Sequence, residues 1–424
     1  NPTSVNIPFS SMQIFFSSLF FSTTATPALG LLLASLLLAQ TSLNRSLLSA
    51  VSTSLLSLPY KLFFLFLNIM FANFTRQTIR HAVAARRFPQ TTSTVRQFSS
   101  FEPPRLFDYE TVTSNLTVSD AIESVESAFG ALARGQVDVP MPMHIEVKES
   151  EMAGPGDCHI KGGYIAGQPT FTVKLATVSF YKNAAKGLPP GSGVFCVVNA
   201  VNGAPLAVMQ ENRFMTDLRT GAAGAVAVKH CTNESQTKVG FIGCGAIARI
   251  MARAVAAVRP NVEGVAYAFA GADEFASDMT KELDVPFTVA SSAQDLCQQS
   301  DIIFTQTPGG EFVLELDWLP KDRPVTIIAS GSDQPTKQEL PNDVLAASKY
   351  VSDLTKQTSK VGELRGPLQA GVMKEEDVYA ELGEIVNGDK PGREGNELIV
   401  VDLTGTGAQD AAIGQVAWDK LSKL

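Results

Sequence analysis

Between Lys238 and Ala248 the chain reads Lys-Val-Gly-Phe-Ile-Gly-Cys-Gly-Ala-Ile-Ala. A short apolar run, Val239 to Ile242, ends on Gly243. Gly245 follows two residues later and the small Ala248 three after that. An Ala-, Met- and Val-rich stretch, Ile247 to Val258, then carries a helical pattern. Strand, tight glycine turn, helix is the order in which a backbone can grip a pyrophosphate. Glycine at 243 permits angles that a Cβ forbids, glycine at 245 lets phosphate approach the main chain, and Ala248 lets the helix pack on the strand. The helix N-terminus adds unpaired N–H groups and a partial positive charge. Glycine-rich turns are common, so the spacing alone is weak. The strand–turn–helix context favours a dinucleotide site over a purely structural turn.

Two later runs end in groups suited to the same ligand. Asp301-Ile-Ile-Phe-Thr-Gln-Thr-Pro308 and Val325-Thr-Ile-Ile-Ala-Ser-Gly-Ser-Asp333 each read as a buried strand closing on small hydroxylated residues. Around them strands and helices alternate. Strands are expected at Val262 to Phe269, Pro286 to Ala290, Pro324 to Ala329 and Tyr350 to Asp353, with helices at Asp273 to Leu283 and Ser292 to Gln299. That alternation predicts an α/β fold with a Rossmann-type, doubly wound parallel sheet, whose strand carboxyl ends line the ligand crevice.

The preceding segment has a different rhythm. Ser119 to Ala133 reads as an amphipathic helix capped by Ser119 or Asp120. Short alternating runs follow at His144 to Val147, Gly162 to Ile165, Thr170 to Leu175, Gly193 to Val198 and Leu206 to Gln210, punctuated by Gly, Pro and Asn. They predict an antiparallel α+β domain. Phe214 to Lys229 is a small-residue-rich helix that leads into the glycine turn. The expected organisation is a leader over 1–101, a substrate-binding and dimerisation domain over 102–226 completed by 405–424, and a dinucleotide-binding domain over 227–404.

The leader is set apart by composition. The first acidic residue in the 424-residue chain is Glu102. Leu31 to Leu38 and Leu62 to Met70 are apolar, but Gln40, Asn44, Arg45 and Lys61 interrupt or flank them, so neither is a clean membrane span. From Met70 the chain turns basic and Ser/Thr-containing, with Arg76, Arg80 and Arg87 near one face of a helix, as in a mitochondrial or plastid transit peptide. The expectation is a presequence beginning at Met70, with translation of residues 1–69 left open and a signal anchor over Leu31 to Phe74 as the alternative. The mature part is then expected in the mitochondrial matrix or a plastid, otherwise in the cytoplasm.

The net charge is −8. With no basic, aromatic-lined patch, that argues against nucleic acid as a partner. No membrane association is expected of the mature domain. Cys158, Cys196, Cys231, Cys244 and Cys297 are scattered, with no C-x-x-C spacing, and read as buried reduced thiols. Four histidines, none paired at i, i+4, give no metal signature.

Four motifs, in this order, carry a resemblance. They are Phe171-Thr-Val-Lys174, Met215-Thr-Asp-Leu-Arg-Thr-Gly-Ala-Ala223, the glycine turn, and Gly331-Ser-Asp-Gln-Pro-Thr-Lys-Gln-Glu-Leu340. Glu381-Leu-Gly-Glu384 and Asp402-Leu-Thr-Gly-Thr-Gly407 support them. From Glu102 to Leu424 the chain resembles the ornithine cyclodeaminase/mu-crystallin family. The resemblance implies a homodimer whose first domain includes the last helix and whose middle domain binds a nicotinamide dinucleotide. It implies Lys174 and Asp333 as catalytic groups and Arg219, Lys174, His144 and Gly405 as substrate contacts. The cofactor set it implies is Arg219, Thr220, Gly243, Gly245, Ala246, Ile247, Thr307, Pro308, Ser330, Gly331, Ser332, Lys337 and Thr404. The chemistry suits an amino-acid or imino-acid substrate. Arg219 can hold its carboxylate bidentately, Lys174 adds a second positive group, and Asp333 can take a proton. Against this, an Arg in a helix is commonly a surface residue and an Asp before Gln-Pro commonly a turn-former.

The chain departs from the family pattern twice. His144 stands where the family places a carboxylate-binding arginine, and it is shorter and mostly neutral near pH 7. After Val262 to Phe269 no basic residue waits for a ribose 2′-phosphate, so NAD is preferred, with NADP as the alternative; Asp273 comes late for the ribose role. The leading expectation is a reductase interconverting an imino (ketimine) acid and an amino acid. The Met-Pro-Met-His-Ile-Glu and Gly-Leu-Pro-Pro stretches look closer to the imine-reductase and ectoine-utilisation relatives. Ornithine cyclodeaminase is the second reading and a non-enzymatic small-ligand binder the third. Retention of Lys174 and Asp333 speaks against the last.

Overall fold

The computed structural model describes residues 100–152, 154–308 and 310–424. The leader helix and the signal anchor expected from the sequence lie outside them. Residues 99–424 form one compact unit.

Its first half is built on a seven-stranded sheet. In chain order come β1 (Arg105–Phe107), α1 (Tyr109–Asn115), α2 (Val118–Ala133), β2 (Val137–Asp138), β3 (Met143–Val147), β4 (Gly156–Ile165), β5 (Thr170–Val178), β6 (Ser192–Asn199), β7 (Pro205–Gln210) and α3 (Phe214–Cys231). The strand order is β1-β7-β6-β5-β4-β2, with β3 also on β4. All neighbours are antiparallel except β1, which runs parallel to β7. Helix α2 begins one step before its expected cap. Thr117 accepts from the Asp120 N–H, and Asp120 reaches back to the Thr117 N–H, so Asp120 is the far half of a capping box rather than the cap. Strand β4 starts at Gly156, well before the expected Gly162. His159 and Lys161 on its buried face hide the apolar alternation that marks a strand.

The second half continues with β8 (Lys238–Ile242), α4 (Ala246–Val258), β9 (Glu263–Tyr267), α5 (Ala272–Leu283), β10 (Phe287–Val289), α6 (Ala293–Gln299), β11 (Ile302–Thr305) and β12 (Val325–Ala329). Then come α7 (Asn342–Ala346), β13 (Lys349–Ser352), α8 (Thr355–Val361), α9 (Arg365–Gln369), β14 (Ala380–Glu381), α10 (Leu382–Val386), β15 (Leu398–Asp402) and α11 (Gly407–Leu421). Eight parallel strands are ordered β10-β9-β8-β11-β12-β15-β13-β14. The order reverses direction between β8 and β11, the place where a doubly wound sheet opens a crevice. Strand β9 stops at Tyr267, short of the expected Phe269. The chain breaks at Gly271, whose φ of +79° is left-handed, and Phe269 is fully exposed.

Helix α3 joins the halves. It packs on α2 and on α4, and a Cβ at Gly221 would sit 2.9 Å from the Ile250 carbonyl, so the small-residue run is what lets the two helices touch. One core runs through this joint, from Phe129 and Phe195 through Met215 and Val226 to Phe241 and Phe304. Each such buried aromatic or aliphatic side chain contributes about 1.5–3 kcal/mol. Helix α11 leaves the second sheet and packs on β4, β5 and α2. Cys158, Cys231 and Cys297 are buried as expected, whereas Cys196 and Cys244 are only half-buried, one on the outer face of β6 and one in the glycine turn. Among the described residues no helix is long and apolar enough to cross a membrane.

Candidate active site

The crevice at the carboxyl ends of β8, β11, β12 and β15 has one wall made largely of backbone. Gly243 turns with φ +92°, and a Cβ there would lie 3.1 Å from both the Gln306 carbonyl and the Thr307 methyl. Its N–H donates to Tyr267 at 2.9 Å. The Gln306 amide donates to the carbonyls of Ile242, at 2.8 Å, and Gly243, at 2.5 Å, tying the turn to the end of β11. Gly245 is the N-cap of α4 and makes no side-chain cap bond. The space where its Cβ would be is open. Ala246 and Ile247 open the helix, so their N–H groups belong to the uncapped first turn. An open approach ending on uncapped amides fits a dinucleotide pyrophosphate.

Buried Glu339 organises the neighbouring loops. It accepts from Thr305 Oγ1 at 2.7 Å, from the Thr307 N–H at 2.5 Å and Oγ1 at 2.7 Å, and from the Gly331 N–H at 2.9 Å. Burial still raises its pKa against those donors. Ser330 Oγ donates to the Thr305 carbonyl and Ser332 Oγ to the Lys337 carbonyl. Thr307, Ser330, Gly331 and Ser332 thus form one hydrogen-bonded rim, with Pro308 next in the chain. Thr220 donates to Thr216 within α3.

The opposite wall is made of buried charge. Alternation along β5 turns Lys174 inward, under α11, where it is 1 % exposed. Its Nζ lies 2.9 Å from Asp410 Oδ1, and Arg219 Nε, from α3, lies 3.1 Å from the same oxygen. Arg219 Nη1 also donates to Gln409 at 3.3 Å. Gly405 packs so close that a Cβ would run into the Arg219 guanidinium. Burial, reinforced by Arg219, pushes Lys174 down to about 7 despite Asp410. For Asp410 burial works upward, but Lys174, Arg219 and Lys161 outweigh it and hold the carboxyl below its usual range.

Asp333 stands at the mouth, a third of its side chain accessible, paired with Lys337 at 3.0 Å. Desolvation opposes its ionisation, yet Lys337, then Lys161 and His159, keep it below the ordinary carboxylate range. Thr404 Oγ1 and the Gly405 N–H donate to Asp353 at 2.9 and 2.8 Å, and burial raises Asp353 to about 6. His144 is not gathered into the charge cluster. It lies on exposed β3, 2.8 Å from Asp157, with its ring 5.0 Å from that of His159. His159 in turn touches Gln334 at 3.2 Å, and burial pushes it down to about 4, so it is neutral.

Residues 105–423 match the ornithine cyclodeaminase/mu-crystallin family. The chain belongs to that family. It is 34 % identical over 309 residues to an uncharacterised cyclodeaminase of Sinorhizobium fredii, covering 71 % of this chain and 90 % of that one. Two solved structures share the fold. The Δ1-pyrroline-2-carboxylate reductase of Thermococcus litoralis, in complex with NADH and L-proline, is 30 % identical with TM-score 0.67, covering 75 % of this chain and 97 % of that one. An archaeal alanine dehydrogenase dimer with bound NAD is 31 % identical with TM-score 0.68, covering 76 % and 97 %.

Residue-by-residue reading of the family motifs missed Lys161, Asp353, Gln409 and Asp410. Two of these left a trace. Asp410 is the sole charged residue between Leu403 and Trp418, in a stretch made mostly of small and apolar residues. Lys161 lies two residues from His159, on the same strand face, and pairs in register with Lys174.

Proposed function

We propose that this chain is a nicotinamide-dependent oxidoreductase that interconverts an imino (ketimine) acid and an amino acid. One observation carries the reading: Lys174 and Arg219, both buried beside the dinucleotide crevice, share one carboxylate, Asp410, while buried Lys161 has none. A cluster with surplus buried positive charge is poised for an anion brought by a ligand. The fit is to a substrate carboxylate, held by the Arg219 fork with Lys174 beside it. Asp333, ionised at the mouth, takes a proton from the substrate nitrogen in one direction and, once protonated, returns it in the other. A dinucleotide bound on the glycine turn supplies or accepts the hydride. Thr220, Thr307, Pro308, Ser330 to Ser332, Lys337 and Thr404 line the sides of that crevice.

NAD is the proposed cofactor. Arg249, on the first turn of α4, is engaged by Asp278 at 2.7 Å and Glu274 at 3.6 Å, and so is not free to hold a 2′-phosphate. A homodimer belongs to the same proposal. The sheet face away from α11 presents Met143, Ile145, Tyr164, Val173 and Leu175 to solvent, more apolar surface than a lone subunit leaves bare. Sedimentation of the purified chain reads the pairing, and a fluorescent fusion of residues 70–100 reads the proposed organellar destination.

Purified protein offered NADH, 2-keto acids and an amine should consume NADH and release the amino acid. Ammonia released from ornithine with no net change in NADH would favour the cyclodeaminase reading. Dinucleotide binding without turnover in either assay would leave the non-enzymatic one.

A further inference from the structure

Lys161 is a buried lysine without an anion of its own. It is 7 % exposed, and its ammonium donates to the carbonyls of Thr404 at 3.1 Å and Gly405 at 2.9 Å. Carbonyl oxygens satisfy two of its three N–H groups but do not neutralise its charge. Among the described residues no carboxylate lies within ion-pair distance, and those nearby are committed elsewhere. Asp410 is held by Lys174 and Arg219, Asp333 by Lys337, and Asp353 by Thr404 and the Gly405 N–H. Burial first, and then repulsion from Arg219, lower the lysine's proton affinity against the attraction of Asp333, Asp410 and Asp353. A buried ammonium with carboxylates near it but none in contact is only partly compensated, and an anion that arrives in contact recovers the rest of the cost.

We infer that Lys161 is a substrate-specificity residue, a second cation for the substrate carboxylate facing Arg219 across the pocket. Its third N–H donates to one carboxylate oxygen while the guanidinium holds the other. Its two carbonyl bonds fix the Thr404–Gly405 turn against which Arg219 packs. The assignment rests on the imino-acid reading above and sharpens it. The pocket selects a free acid, and rejects the corresponding amide, through a charge on β4.

Steady-state kinetics of the full chain with an imino acid and its carboxamide tests this. Lys161→Met should raise KM for the acid roughly ten- to a hundredfold, the loss of one charge-assisted bond. KM for the amide and affinity for NADH should stay nearly unchanged, so discrimination between the two collapses. Lys161→Arg should restore most of it. Lys161→Gln keeps a donor for the carbonyls without the charge, and stands in if the methionine variant does not fold. Equal losses on acid and amide, or a fall in kcat alone, would make Lys161 only a brace for the turn and overturn the assignment. So would unchanged kinetics. Wild-type turnover alongside any of these results sinks the assignment alone, whereas no wild-type turnover with any imino acid sinks the site reading itself.

Discussion

The two walls of the crevice are built on opposite principles. On the side proposed for the dinucleotide the groups are main-chain amides and short hydroxyls at the ends of parallel strands, and a buried carboxylate touching them, Glu339, serves to hold loops together. On the side proposed for the substrate the groups are charged side chains, Lys161, Lys174, Arg219 and Asp410, drawn from two antiparallel strands and two helices. The first wall depends on the absence of side chains and the second on their charge. Substitutions should therefore fail differently on each side: by obstruction or backbone strain on the first, by lost chemistry on the second.

Asp333→Asn should have the largest effect. It keeps the shape of the mouth but cannot take a proton, so kcat should fall by about two to four orders of magnitude while NADH titration is unchanged. Near-wild-type turnover would reduce Asp333 to a turn residue paired with Lys337.

The glycine turn separates strain from obstruction. Gly243 has a left-handed backbone and a crowded Cβ position, so Gly243→Ala should cost about 1–3 kcal/mol in urea denaturation. Gly245 has φ −82° and open space, so Gly245→Val should leave stability within about 0.5 kcal/mol. It should nonetheless weaken dinucleotide affinity roughly ten- to a hundredfold, because the added methyls fill the approach to the amides. Unchanged affinity would move the pyrophosphate away from this turn.

The smallest effect is graded by pH. Lys174, pushed down to about 7, is charged below that pH and neutral above it. Its help in holding a carboxylate is therefore present below about 7 and fades above, so kcat/KM should decline by up to about tenfold per pH unit on the alkaline side. Lys174→Arg, which does not deprotonate, should remove that limb. A flat wild-type profile through neutrality would deny Lys174 any role that depends on its proton.

Legibility in the sequence follows the same division. The dinucleotide wall is local: strand, turn and helix are contiguous from Lys238 to Val258, and glycine spacing records a backbone requirement directly. The substrate wall is assembled across 250 residues of chain, and nothing near Lys161 announces Asp410. Where the site is richest the strand signal is weakest, because a strand whose inner face carries His159 and Lys161 no longer alternates apolar with polar. Strand β15 was missed for another reason. Leu398 to Val401 is a bare apolar run too short to tell from a turn of buried helix, and only its pairing with β12 and β13 defines it. The family motifs supplied Lys174, Arg219 and Asp333, residues that spacing alone leaves as an inward lysine, a helical arginine and a turn aspartate.

Helix α11 has a consequence for synthesis. It is fifteen residues long, it leaves the ribosome after the strands it covers, and it carries the counter-charge for cations made 191 and 236 residues earlier, Arg219 and Lys174. Until it emerges, β4 and β5 lack their cover and the lysine and arginine side chains must stay hydrated. The charged wall is thus closed only once α11 has been made, while the glycine turn is synthesised long before. A nascent chain therefore passes through a stage in which the glycine turn has been made and the charged side chains still face water.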